Sequence, residues 1–156
     1  MSYSEVIEGF YSFICRDPDS GEGGLTPTAN DFHLGYFQRT KREELTYKTG
    51  AGIDRCVQIV YKGTQATKPF ISGNKIRHMD RIMVKVGFFA GDHHDDTNMV
   101  IHSDDKMLQN SLVKPNNYPD CGTVQIERVT VINSDVVKQG KEQYILELLL
   151  EVQTTS

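Results

Sequence analysis

Imidazole and carboxylate side chains crowd together in Asp92-His93-His94-Asp95-Asp96. Histidine with carboxylate suits zinc, iron or manganese. Adjacent positions on an extended segment seldom converge on one ion, and His102 joins them only if a following helix starts early. The spacing matches none of the established ligand patterns. The plainer reading is a strand-to-helix connection, with Asp95, Asp96 or Thr97 as the cap and both histidines solvated. That reading is preferred, so neither a metal nor a cofactor is expected. A small metal-dependent enzyme using His93, His94 and Asp95 stands as the alternative from another functional class.

Other groupings offer less chemistry. Gly21-Glu22-Gly23-Gly24 lacks the Gly-Lys-Ser/Thr ending of a phosphate loop, and no strong strand precedes it. It reads as part of a flexible arm. Ser72-Gly73 lacks the Gly-x-Ser-x-Gly elbow of a hydrolase nucleophile. The three cysteines, Cys15, Cys56 and Cys121, include no Cys-x-x-Cys pair. An odd count without a signal peptide reads as reduced thiols in a cytosolic protein. Cys56 is expected as a small buried residue in a strand and Cys121 as an incidental thiol in a turn. No enzymatic turnover is expected.

The bulk properties narrow the class. At 156 residues the chain fits one domain with a core of useful size. With 38% apolar and 24% charged residues, composition gives no sign of wholesale disorder. A net charge of -4 and a pI near 5.7 argue against a protein that coats phosphate backbones, which takes lysine and arginine. Local basic patches remain: Arg39, Lys41 and Arg42 form a cluster that Glu43 and Glu44 partly cancel, and Lys62 and Lys68 lie further on. The Met-Ser-Tyr-Ser-Glu start lacks the basic opening and apolar run of a signal sequence. No stretch approaches the ~20 apolar residues of a membrane span, so no membrane partner is expected.

The elements follow from periodicity. Ile7, Phe10 and Ile14 share a face and predict a helix over Ser4 to Ile14, with Ser2 and Glu5 as a capping box or Ser4 as the cap. Arg16 falls at its C-terminal end, where a cation suits the helix dipole. Asp17 to Asn30 is rich in turn formers and predicts a long loop or arm, and Phe32, Leu34 and Tyr36 alternate as a short strand after it. Cys56 to Tyr61 alternates as a strand. Lys62 to Met79 is polar and reads as a hairpin loop or projecting ribbon. Arg81 to Phe89 is the central strand, because Ile82, Val84, Val86 and Phe88 recur every second residue. Helical spacing takes over from Thr97 to Leu112, with Ser103 able to cap its better part and Pro115 beyond its end. Thr123 to Asn133 is a strand whose parity changes near Arg128, which predicts a bulge. Tyr144 to Val152 closes the chain as its most apolar strand. The order predicts one α+β domain over 1–156. Its antiparallel or mixed sheet has about four or five strands, with two helices packed on one face and long polar loops at about 17–51 and 62–79.

Four segments carry a family resemblance. They are the run Asp80-Arg-Ile-Met-Val-Lys-Val-Gly-Phe-Phe, the helix Ser103-Asp-Asp-Lys-Met-Leu-Gln-Asn-Ser-Leu, the turn Lys114-Pro-Asn-Asn, and the closing Tyr144-Ile-Leu-Glu-Leu-Leu-Leu-Glu-Val. In element order and residue style, the second half and the opening helix resemble the tail-terminator and head–tail joining (neck) proteins of tailed bacteriophages. Such proteins commonly begin with a short helix, place an acidic helix between strands two and three, and end in an alternating strand. The polar material at 17–51 and 62–79 is longer than compact members need. The resemblance implies a structural virion protein, assembled in the host cytoplasm, that forms a homo-oligomeric ring, typically of six copies. The ring would cap the tail tube and meet the head connector, and DNA would pass through without specific binding. Another neck or tail-completion role is the near alternative. A ring needs a heterologous interface. The acidic residues Asp104 and Asp105 and the basic residues Arg39, Lys41 and Arg42 are candidate complementary surfaces, with Lys62 and Lys68 completing the candidate interface.

Overall fold

The computed structural model describes residues 2–17, 19–27, 36–39, 55–69, 76–89, 94–115, 118–119, 121–139 and 143–155. The side chains of 2–4, 64–69, 76, 94 and 139 lie outside that description. The described elements are helix α1 (Ser2–Ile14), strands β1 (Gln38–Arg39), β2 (Cys56–Pro69) and β3 (Ile76–Phe89), helix α2 (His94–Leu112), and strands β4 (Gln125–Gln139) and β5 (Gln143–Thr155). They form an α+β fold with one five-stranded sheet of order β1-β2-β3-β5-β4. The sheet is mixed: β1 runs parallel to β2, and every other pairing is antiparallel.

Strands β3 and β5 are the centre, and their alternation explains why. The register sets Ile82 opposite Leu150, Val84 opposite Leu148 and Val86 opposite Leu146, and all six are buried. Side chains two residues apart share a face, so this row presents one continuous apolar surface. From above it, α1 adds Val6, Phe10 and Ile14, and α2 adds Val100, Ile101, Leu108 and Leu112, all within the same core cluster. Each such side chain contributes roughly 1.5–3 kcal/mol by leaving water. Both helices therefore cover one face. The opposite face carries Met83, Lys85, Glu147, Leu149 and Glu151, all half-buried.

Several boundaries differ from the expectations. Helix α2 begins at His94, with Asp95 and Asp96 in its first turn, where carboxylates suit the positive end of the dipole. Ser103 is interior and caps nothing. The buried stripe Thr97, Val100, Ile101, Asp104, Leu108 and Leu112 already recurs at helical spacing from the first turn, so the helix needs no second start. Most of 62–79 is strand, because β2 reaches Pro69 and β3 opens at Ile76. Gly63 makes the extension feasible. The register slips between Tyr61 and Gly63, and Gly63 has φ of 109°, a conformation that side chains with a Cβ resist. The strand expected through Phe32, Leu34 and Tyr36 lies mostly outside the described residues; Tyr36 is irregular, and strand begins at Gln38. The bulge expected near Arg128 is present between Ile126 and Arg128, and a second slip lies between Val131 and Asn133.

The start of the expected 17–51 arm folds back onto α1. The Leu25 amide donates to the Ile14 carbonyl at 3.0 Å, and the Arg16 amide donates to the Phe37 carbonyl at 2.9 Å. Gly24 sits so close to the helix end that a Cβ would lie 2.6 Å from the Cys15 carbonyl carbon. Among the described residues, no helix is long and apolar enough to cross a membrane.

Candidate functional site

The residues expected at an interface have different fates. Arg39 is exposed on β1, where its Nη1 and Nη2 donate to the two Glu8 carboxylate oxygens at 2.7 and 2.9 Å. Its guanidinium also stacks on the Tyr11 ring, 3.9 Å from the centroid. The hydrogen bond from Arg39 holds the Glu8 carboxyl below its usual range, and the same bond raises Arg39. Lys62 is exposed on β2, beside the Gly63 bulge. Lys68 pairs with Arg77 in the β2–β3 ladder, and its side chain lies outside the description. Lys41 and Arg42 lie outside the described residues.

Asp104 and Asp105 do not form an exposed acidic surface. Asp104 is fully buried and accepts from Arg55 Nε at 2.6 Å and Nη2 at 3.2 Å, with neither side chain exposed. Burial pushes the Asp104 carboxyl up, against the pull of Arg55. An unpaired charge there would be costly, so the two ions are held as a unit. Asp105 accepts from Ser134 Oγ and from Gln109 Nε2, each at 2.8 Å, which ties α2 to β4. Both acidic residues thus hold α2 in place, one against the β2 end and one against β4.

The metal-ligating run lies only partly within the described residues. His93 lies outside the described residues, His94 opens α2, and Asp95 is exposed in the first turn. Among the described residues, no group of three or more histidine, cysteine or carboxylate side chains converges. All three cysteines are buried, and none forms a disulfide among the described residues. Cys121 is a core residue rather than an incidental thiol, since it belongs to the main cluster. Burial pushes the Cys15 thiol up to about 12, which keeps it protonated and unreactive at neutral pH.

Two further surfaces among the described residues lie at the two sides of the sheet. On the β4 side, Ile132, Val136 and Val137 are 43%, 44% and 37% exposed, and Asp135 stands exposed beside them. The second register slip puts Asp135 and Val137 on the open face, opposite Glu147 and Ile145, whereas Val136 lies on the helix-covered face, opposite Leu146. On the β1 side, an open groove of about 470 Å³ runs along the end of α1 between Tyr11, Cys15, Arg16 and Arg39. The Arg16 guanidinium lies 3.7 Å from the Tyr36 ring centroid, and its buried Nε has no hydrogen-bond partner among the described residues. Sequence reasoning gave Arg16 only a role at the helix dipole. The signal for β4 was present, as adjacent valines between Asp135 and Lys138 are unusual in a solvated strand.

Tyrosine hydroxyls guard both sides of the sheet. The described pairing of β1 with β2 reaches Val57, and the next outward amide of β2, at Ile59, donates to Tyr11 Oη at 2.7 Å. On β4 the Val129 amide donates to Tyr118 Oη at 3.1 Å. Unpaired edge amides invite other strands, so these contacts restrict where another chain is able to pair. Beyond Val129 on β4, the Val136 amide is met by its neighbour Asp135 at 2.9 Å. No protein-family model matches the chain, and no curated protein sequence matches it.

Proposed function

We propose that this chain is a structural assembly protein of a tailed-phage particle, a tail terminator or a closely related neck protein. It acts by forming a homo-oligomeric ring, typically of six copies, that caps the tail tube and receives the head connector. The observation that carries this reading is the element order. Counting the four long strands, a short helix opens the chain, an acidic helix stands between the second and third, and an alternating strand closes it. That is the order on which the resemblance rests. The exposed aliphatic side chains on β4 add support, because such groups are commonly covered by a partner.

In this reading the sheet is scaffold, and its exposed sides are the working parts. Asp104 is withdrawn from the candidate contacts because it is internal; Lys62 is exposed, and Arg39 is exposed but paired with Glu8. Electron microscopy and native mass measurement of the purified protein test the proposal. Closed rings, alone or on addition of tail tube protein, are expected. A chain that stays monomeric under both conditions overturns it.

A further inference from the structure

We propose that copies of this chain join head to tail, with the β4 edge around Asp135 of one copy seated in the Arg16 groove of the next. This contact rests on the ring reading above and names the surfaces that build the ring. Three observations converge on it.

The first is position. Strand order places β4 at one end of the sheet and β1 at the other, and Arg39 of β1 lines the groove. A contact between two different surfaces on opposite sides of one subunit is heterologous, the kind that closes into rings when the rotation permits. The second is apolar content. Ile132, Val136 and Val137 are exposed on β4, while Tyr11 and Cys15, both largely buried, are the apolar side chains that line the groove. The third is charge. Arg39 is already neutralised by two bonds to Glu8, whereas no carboxylate pairs with Arg16 among the described residues. Arg16 keeps a buried Nε without an acceptor among the described residues and stands on the Tyr36 ring. A carboxylate brought to that guanidinium forms a charge-assisted bond in a partly desolvated site. Asp135 is the exposed carboxylate of this edge, on the same face as Val137, with Val136 on the other face of the strand.

Asp17 and Glu22 also line the groove, so the incoming carboxylate has to meet Arg16 and avoid them. The Asp17 carboxylate already accepts from the Asp19 amide at 2.9 Å, which fixes it against the loop. The neighbour's Asp135 would exchange its local bond to the Val136 amide for the arginine.

The test compares the wild-type chain with Asp135→Arg, Arg16→Glu and the double swap by sedimentation velocity across protein concentration. Each single variant is expected to weaken assembly at least about tenfold, and the double swap to recover most of that loss. Arg16→Glu also removes the Tyr36 stack. If it unfolds by circular dichroism, Asp135→Arg and Val136→Glu, at exposed positions, carry the test alone. Single variants that assemble as tightly as the wild type overturn this contact and leave the ring reading standing. A wild-type chain that never assembles overturns both.

Discussion

Arg55 and Asp104 hold opposite charges with neither side chain reaching water. Arginine does not deprotonate in proteins, so removing its partner strands a buried cation. Asp104→Ala is expected to lower unfolding free energy by about 3–5 kcal/mol, measured by urea denaturation. Replacing both residues with apolar ones, Arg55→Met with Asp104→Leu, is expected to cost far less than either single change. An equal loss in the double variant would mean that shape rather than charge dominates. The Glu8–Arg39 pair behaves differently because both side chains are about half exposed, at 57% and 47%. Its contribution stays below about 1 kcal/mol and is screened by salt. Glu8 titrates below its ordinary value of 4.5 in the folded chain. The stabilisation is therefore complete above that pH and disappears as pH falls through the depressed folded value. Glu8→Gln should accordingly be less stable than the wild type at neutral pH and equal to it in acid, with the gap closing at high salt. Asp104 was readable as internal from the sequence. It lies four residues after Val100 and four before Leu108, on the apolar stripe of its helix. The general habit of charged side chains to face water outweighed that spacing. Arg55 had no such marker, since it stands between Asp54 and the first strand residue.

The elements whose side chains alternate between core and open face were the ones the sequence displayed. Strands β3 and β5 are buried every second residue along Ile82–Phe88 and Leu146–Val152, and the bulge near Arg128 announced itself as a change of parity. The polar half of β2 gave no such pattern. It lies toward the side of the sheet and includes Gly63, which reads as a turn residue until its place in a bulge is known. Loop docking was equally hidden, because it depends on backbone contacts. The glycines after α1 make this testable. Gly21 and Gly24 both have positive φ, at 69° and 74°, but only Gly24 faces backbone atoms within 3 Å of an added Cβ. Gly21→Ala is expected to cost about 1 kcal/mol through backbone strain alone. Gly24→Ala should cost clearly more, because Cys15 and Arg16 have to move; equal thermal shifts for the two would contradict this docking. The tyrosine guards belong to the same scale. Tyr11→Phe leaves the Ile59 amide without its 2.7 Å acceptor. A loss of about 1–3 kcal/mol is expected, with faster hydrogen exchange at Ile59 than at its neighbours on β2.

At the scale of the whole molecule, the sheet has one face under helices and one crossed by ion pairs. Lys85 meets Glu147 at 3.7 Å, Arg81 meets Glu151 at 4.0 Å, and Arg77 meets Glu127 at 3.3 Å. Glu127 also accepts from Thr155 and from Gln153, and these bonds, led by Thr155, hold its carboxyl below the usual range. Opposite charges on facing strands add modestly to sheet pairing and keep this face wettable. Between them lie Met83 and Leu149, which the register places side by side. Leu148 and Leu149 are adjacent in sequence and point to opposite faces, so they report on the two environments separately. Leu148 is fully buried under the helices, and Leu148→Ala is expected to cost about 2–5 kcal/mol at any protein concentration. Leu149 is half-buried in the isolated chain, and its truncation should cost much less there. Proposed assembly reaches this face only at its β4 margin, where Asp135 stands opposite Glu147, and leaves Leu149 itself uncovered. The cost of Leu149→Ala should then stay small when the protein is concentrated enough to assemble. Binding stabilises only what the partner touches, so a penalty that grows with concentration would place a neighbour on this face instead. Urea midpoints of both variants at low and high protein concentration distinguish these arrangements without requiring the partner's structure.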